Sequence, residues 1–289
     1  MKKVGFIGLG VMGGPMAGHL VNKGYDVIVY NRTLNKAKLW TQTYNGKFAE
    51  SPKEVAANSE VIFTCVGNDD DVLSVVKGEE GILSGITSDC ILVDHTTASA
   101  NLARKLYKEF HSQGLGFIDA PVSGGQAGAE NGLLSIMCGG DEKDYVRVLP
   151  ILKSYGKKIS LIGKSGSGQL AKMVNQICIA GLVQALSEGI NFGINAKLDM
   201  TKVLDVIEAG AAGSWQMSNR GSTMIKNEFN FGFAVNWMIK DLNICIDEAK
   251  NNNSKVEITS LIKDFYKQVR DNGGGMFDTS SLITLLRKD

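Results

Sequence analysis

The chain has 289 residues, with 31 basic against 30 acidic side chains for a formal charge of +1, and is 44% hydrophobic and 21% charged. These shares are those of a soluble globular protein and exclude a disordered or fibrous chain; without a long basic run, nucleic acid is excluded as the main partner. At this length two domains are expected, with ample core for both.

The first stretch, MKKVGFIGLGVMGGPMAGHL, places two lysines ahead of an apolar run, as a secretory signal does. Six glycines between Gly5 and Gly18 make a poor apolar segment of that kind. They read better as a strand over Val4 to Ile7, the spacing GxGxxG at Gly8, Gly10 and Gly13, and a helix over Pro15 to Lys23. In that setting the first glycine permits a tight turn, the second lets a pyrophosphate approach the backbone, and the third allows close packing of the helix. The segment Gly8, Leu9, Gly10, Val11, Met12 and Gly13 is thus a candidate phosphate-binding loop, with a ligand-free glycine turn as the alternative.

The second strand ends at Val29-Tyr30, where a carboxylate would bind the ribose hydroxyls of NAD; the residues that follow are Asn31, Arg32 and Thr33. An arginine there can pair with a 2'-phosphate in a forked geometry and its neighbours can add hydrogen bonds, so NADP is favoured over NAD. The alternative is that Arg32 only caps an exposed turn. Further strands are expected in EVIFTCVG, CILVDHT, GFIDAPVSGG, LLSIMCGG and KKISLIG, alternating with helical patterns. This alternation predicts a mostly parallel sheet of the Rossmann type, from which the later strands are free to depart. Apolar runs such as Val61 to Val66 suit strands covered on both faces. In GFIDAPVSGG, a strand over Phe117 to Val122 leads into Ser123, Gly124 and Gly125, whose N–H groups and hydroxyl can form a small nest for a carboxylate.

Beyond Gly168 everything reads as helix and loop, which places the domains at 1–163 for dinucleotide binding and 164–289 as an all-helical domain, to which the resemblance given below adds substrate binding and oligomerisation. From Gln169 to about Asn191 apolar positions cover nearly the whole circumference, predicting a long, buried helix joining the two. Lys172 and Asn175 interrupt it on one face, with Gly168 expected to leave room for a ligand above them. A lysine that snorkels to water is the plain alternative. No uninterrupted apolar run reaches the roughly 18 residues of a membrane span.

Five cysteines form an odd set without CxxC spacing, as in a reducing, cytoplasmic setting, and three histidines and scattered cysteines offer no metal-ligand cluster. His95, beside Asp94, is a rival acid/base, although a histidine at a strand end more often serves structure. Trp215 and Trp237 are expected to fill helix packing, and Asn251 to Asn253 to end a helix.

FIGLGVMGGPMAGHL resembles the N-terminal signature of the β-hydroxyacid dehydrogenases, a family that includes 3-hydroxyisobutyrate dehydrogenase, tartronate semialdehyde reductase and the glyoxylate/succinic semialdehyde reductases. The resemblance continues at DAPVSGG (Asp119 to Gly125), GQLAKMVN (Gly168 to Asn175) and KDL (Lys240 to Leu242). It implies a Rossmann-type domain, a long interdomain helix, an all-α C-terminal domain and a homodimer or homotetramer. It implies Lys172 as the catalytic lysine, Asn175 as a substrate-binding residue, and Ser123 and Gly124 as the loop for the substrate carboxylate. By the same resemblance Lys240 lies near the nicotinamide, Thr97 contacts cofactor and substrate, Val66 and Gly67 cover the cofactor, and Phe233 and Asp241 stand on the substrate side. Gln176 departs from the second asparagine many members have, and His95 from a common methionine.

The chemistry wants these residue types. A hydride arriving at a carbonyl carbon leaves negative charge on oxygen, so a proton donor must be within reach; in reverse a neutral lysine must take the alcohol proton, which burial favours. The expected activity is therefore an NADP-preferring dehydrogenase or reductase of a small β-hydroxyacid, metal-free, with no nucleic acid or membrane partner. An imine reductase-like enzyme and a non-catalytic dinucleotide-binding module are the alternatives.

Overall fold

The computed structural model describes residues 2–287 and divides into two compact units, Met1–Lys172 and Met173–Asp289. The division falls inside a helix, nine residues beyond the boundary expected at residue 163.

Among the described residues the first unit is built on nine strands: β1 Lys3–Ile7, β2 Asp26–Tyr30, β3 Lys47–Phe48, β4 Val61–Thr64, β5 Ile91–Asp94, β6 Gly116–Asp119, β7 Val122–Ser123, β8 Leu134–Gly140 and β9 Gly156–Gly163. Their order is β3-β2-β1-β4-β5-β6-β8-β7, with β9 on β8. The pairs from β3 to β6 are parallel, β8 runs antiparallel to β6 and β7, and β9 is parallel to β8. Side chains alternate across a strand, and here both faces are buried: Val61, Phe63, Ile91, Val93 and Ile118 enter one core, Ile62, Leu92 and Phe117 the other. Sequence order reverses at β1, which lies between β2 and β4; in open α/β sheets that reversal leaves a crevice at the carboxyl ends of the strands.

The continuous strand expected over Phe117 to Val122 is two short strands, β6 and β7, broken around Pro121, which has no N–H to donate to a ladder. Likewise the first helix begins at Gly13 and ends at Asn22, not over Pro15 to Lys23.

The second unit is helical, and among the described residues its one β contact is an isolated bridge between Ala234 and Asp278. The long helix Ser167–Asn195 runs into it and contributes Ala180 and Val183 to one core cluster and Leu186 and Ile190 to another. Helices Val235–Asn252 and Glu257–Val269, with Leu282, add to the first cluster, and Met200–Glu208 and Trp215–Lys226, with Phe229 and Ile283, to the second. Asn253 ends its helix in the left-handed conformation that caps favour, as expected of that asparagine run.

The long helix is not buried all round. Val174, Cys178, Leu182, Ala185 and Phe192 are exposed along one stripe, a correction to the expected circumferential burial. By length and composition alone the helix is long and apolar enough to cross a membrane. Trp215 and Trp237 also differ from expectation, each being about half exposed and not packed inside.

Candidate active site

The glycine loop has the geometry its spacing implies. Gly8 directly follows β1 with φ +98°, and a Cβ on it would lie 2.2 Å from the Cys65 carbonyl oxygen past the end of β4. A Cβ on Gly13 would sit 1.9 Å from the Gly8 carbonyl, so this glycine lets the helix pack on the turn, whereas one on Gly10 meets nothing within 4 Å. No side chain caps the helix Gly13–Asn22, and its first turn carries no acid. The loop therefore fits a dinucleotide's pyrophosphate, with the approach open at Gly10 and a helix N-terminus behind it.

At the end of β2, Asn31 is tied to this loop: its Oδ1 accepts from Leu9 N (3.0 Å) and its Nδ2 donates to the Thr33 carbonyl (3.1 Å). Arg32 is exposed and its Nη1 lies 3.1 Å from Asp71 Oδ1. Val66 and Gly67 follow β4. Val66 N donates to Thr96 Oγ1 (3.1 Å), joining the loop after β4 to the loop after β5 that carries Thr97.

Two buried carboxylates that the sequence reading left without a role organise these loops. Asp94 closes β5, and its Oδ1 accepts from Thr64 Oγ1 (2.7 Å) and Thr96 N (3.0 Å). Asp119 closes β6 and accepts from Gly166 N (2.7 Å) and Gln169 N (3.0 Å), so it caps the long helix from outside. Burial pushes each carboxyl up to about 6, while the N–H and hydroxyl donors pull the other way. Gln169 adds a second tether, donating from Nε2 to the Thr96 carbonyl (2.7 Å) and accepting from Ala98 N (3.1 Å). A signal was available: each aspartate ends an otherwise apolar strand, ILVD and GFID.

This anchorage fixes the first turns of the helix that carries Lys172, which is buried at 8% exposure. Gly168 plays a different part from the one expected. A Cβ there would lie 2.4 Å from the Met137 carbonyl and 2.6 Å from that of Asp119, so it allows close packing of the helix on the sheet and leaves no room for a ligand. Ser123 lies in β7, followed by Gly124 at φ +134° and Gly125 at φ +62°, and a Cβ on Gly125 would meet nothing within 4 Å. The structure thus gathers the loops carrying the glycine motif, Asn31 to Thr33, Val66-Gly67, Thr97 and Ser123 to Gly125 on the sheet of the first unit.

In the second unit Asn175, Gln176, Lys240 and Asp241 form one polar group. Asn175 Nδ2 donates to Gln176 Oε1 (2.7 Å), and Gln176 Nε2 donates to Asp241 Oδ2 (2.6 Å). The Lys240 ammonium lies 3.0 Å from Asp241 Oδ1, an ion pair without hydrogen-bond alignment, since that buried oxygen accepts no hydrogen bond. Phe233 precedes the helix that carries Lys240 and Asp241: its N donates to buried Asp278 and its ring packs on the helical core. Gln176, noted only as a departure, is the link between Asn175 and Asp241.

His95 is structural. Its ring is buried, stacks on Phe63 at 5.6 Å, and is held by the Ala120 carbonyl at Nδ1 (2.6 Å) and the Tyr155 hydroxyl at Nε2 (2.8 Å). Burial lowers its pKa to about 4, so it is neutral near pH 7. Cys90 and Cys138 are buried thiols pushed up to about 12, which leaves them inert as nucleophiles.

Comparison with known proteins agrees with this architecture. Residues 3–163 match the NAD binding domain of 6-phosphogluconate dehydrogenase, and residues 166–286 the NAD-binding domain of NADP-dependent 3-hydroxyisobutyrate dehydrogenase. An oxidoreductase of Shewanella frigidimarina (strain NCIMB 400) is 54% identical over 288 residues, covering 100% of this chain and 99% of its own. The 2-hydroxy-3-oxopropionate reductase of Escherichia coli (strain K12) is 34% identical over 98% of this chain and 97% of its own. Among solved structures, 3-hydroxyisobutyrate dehydrogenase of Mycobacterium tuberculosis with L-serine superposes with a TM-score of 0.89 at 27% identity, covering 100% of both chains.

Proposed function

The chain belongs to the β-hydroxyacid dehydrogenase family and is an NAD(P)-dependent oxidoreductase, and on that premise we propose that it interconverts a small β-hydroxyacid and its semialdehyde or oxo-acid with NADP(H) preferred and Lys172 as acid/base. The observation that carries the reading is the buried Lys172, on a helix whose start is pinned by Asp119 and Gln169 to loops at the carboxyl ends of the strands. Such anchorage supplies the fixed geometry that proton transfer needs.

When bound, NADP(H) supplies or takes the hydride at the reacting carbon. Lys172, as an ammonium, donates a proton to the oxygen as charge develops there, and as an amine accepts it in the reverse direction. Asn175, three residues along the same helix, shares its face and orients the ammonium or the substrate hydroxyl. Ser123, Gly124 and Gly125 hold the substrate carboxylate, Gly125 by the open space above it. NADP preference is supported by the exposed guanidinium of Arg32, by the lack of a carboxylate at the end of β2, and by the NADP-dependent family matched by residues 166–286.

The test is loss of reduced-nicotinamide absorbance with NADPH and with NADH across glyoxylate and the succinic, tartronate and methylmalonate semialdehydes. Turnover of at least one acid with NADPH preferred is expected; no turnover with any, despite tight NADPH binding, contradicts the proposal. The exposed apolar stripe of the long helix, Val174 to Phe192, is proposed to be covered by a second copy of the chain. Light scattering should then give at least a dimer at micromolar concentration, and a monomer would refute it.

A further inference from the structure

β1 is paired with β2 on one side and β4 on the other, so residues that follow β2 and β4 flank the glycine loop. Arg32 comes two residues after β2, and Asp71 lies in the first turn of the helix Asp69–Val76 that follows β4. Their ion pair, 3.1 Å from Nη1 to Oδ1, therefore joins the two sides of the crevice.

The partners differ in freedom. The Arg32 side chain is 86% exposed, while that of Asp71 is 29% exposed and its own N–H donates to Asn68 Oδ1 (2.9 Å). Nearby Asp69 is spent elsewhere, with its two oxygens accepting from Ser99 N (2.8 Å) and Ser99 Oγ (2.5 Å). Asp71 is thus the acid of this turn that holds the guanidinium.

We infer that Asp71 is a specificity-determining residue, its carboxylate competing with the 2'-phosphate of NADP(H) for Arg32. This rests on the reading of Arg32 as the 2'-phosphate partner. A phosphate reaching Arg32 either displaces the Asp71 carboxylate or sits beside it as a like charge, and both lower affinity. NAD(H) has no phosphate there and is spared both effects, so Asp71 moderates the NADP preference that Arg32 creates.

The experiment measures NADPH and NADH dissociation constants by fluorescence titration at low and moderate salt for the full chain, Asp71→Asn, Arg32→Ala and the double variant. An exposed ion pair corresponds to about two- to fivefold in an equilibrium constant. Asp71→Asn is expected to tighten NADPH by that factor, to leave NADH within twofold, and to gain less in the Arg32→Ala background, with the gain shrinking as salt rises. If Arg32→Ala weakens NADPH selectively but Asp71→Asn leaves it unchanged or weaker, the inference on Asp71 is overturned and the reading of Arg32 stands. If Arg32→Ala leaves the NADPH-to-NADH ratio unaltered, the reading of Arg32 is overturned, and this inference with it.

Discussion

Replacing His95 by Met removes a ring that the fold keeps neutral. The Ala120 carbonyl can only accept, so Nδ1 carries the proton, and Nε2 then accepts from the Tyr155 hydroxyl. Burial holds the folded-state pKa near 4 against 6.5 for the free side chain. Between those values the unfolded chain binds a proton that the folded one refuses, so this contribution to stability is full above pH 6.5 and is lost as pH falls toward 4. At about 1.4 kcal/mol per pH unit the loss is roughly 3 kcal/mol. Asp94 and Asp119 act in the opposite sense: with folded values raised from 3.8 to about 6, each subtracts stability as pH rises through that window. Both remain in the variant and cancel in the comparison. At pH 7, His95→Met should cost about 1–3 kcal/mol, because the buried Tyr155 hydroxyl loses its acceptor. By pH 4 that deficit should have moved about 3 kcal/mol in the variant's favour. Urea unfolding of both proteins at pH 4, 5, 6 and 7 reads the difference. A gap that stays constant across this range would refute the neutral, structural histidine. Loss of turnover in a folded His95→Met protein would instead revive His95 as the acid/base.

Gly10 and Gly13 should respond differently to alanine. Gly10→Ala is expected to leave the melting temperature nearly unchanged yet weaken NADPH binding about tenfold or more, since its methyl enters the open approach to the loop, while Gly13→Ala should cost about 1–3 kcal/mol of stability by forcing the helix off Gly8. Thermal melts and cofactor titrations separate the two, and equal effects on stability would contradict the assignment. Asp119→Ala strands the buried N–H groups of Gly166 and Gln169, a loss of about 2–5 kcal/mol, and should lower turnover by loosening the helix under Lys172. Melts and initial rates check both parts; unchanged turnover would argue against the anchoring role.

The parallel core strands were legible because burial on both faces turns each into a continuous apolar run, as in VIFT and ILVD. β3 was not, since two residues at the sheet edge, Lys47 and Phe48, carry no period. The turn at Gly8 and the close helix packing at Gly13 were readable in the glycine loop, because each follows from the absence of a Cβ. Gly168 shows the limit of that argument: an absent side chain admits either a ligand or a neighbouring backbone, and only the fold shows that the backbones of Asp119 and Met137 occupy the space. The long helix fails in a related way, because apolarity marks a surface as unsuited to water without saying whether its own chain covers it. The roles of Asp94, Asp119 and Gln169 are not legible in sequence, since they depend on contacts between loops far apart along the chain.

The most direct test of the proposed activity is Lys172→Ala, assayed for hydride transfer to the best acid of the substrate panel and for NADPH affinity in the same preparation. The account predicts a fall in turnover of about 10²–10⁴-fold with the NADPH dissociation constant within about twofold of the parent. Near-normal turnover in the folded variant would contradict it.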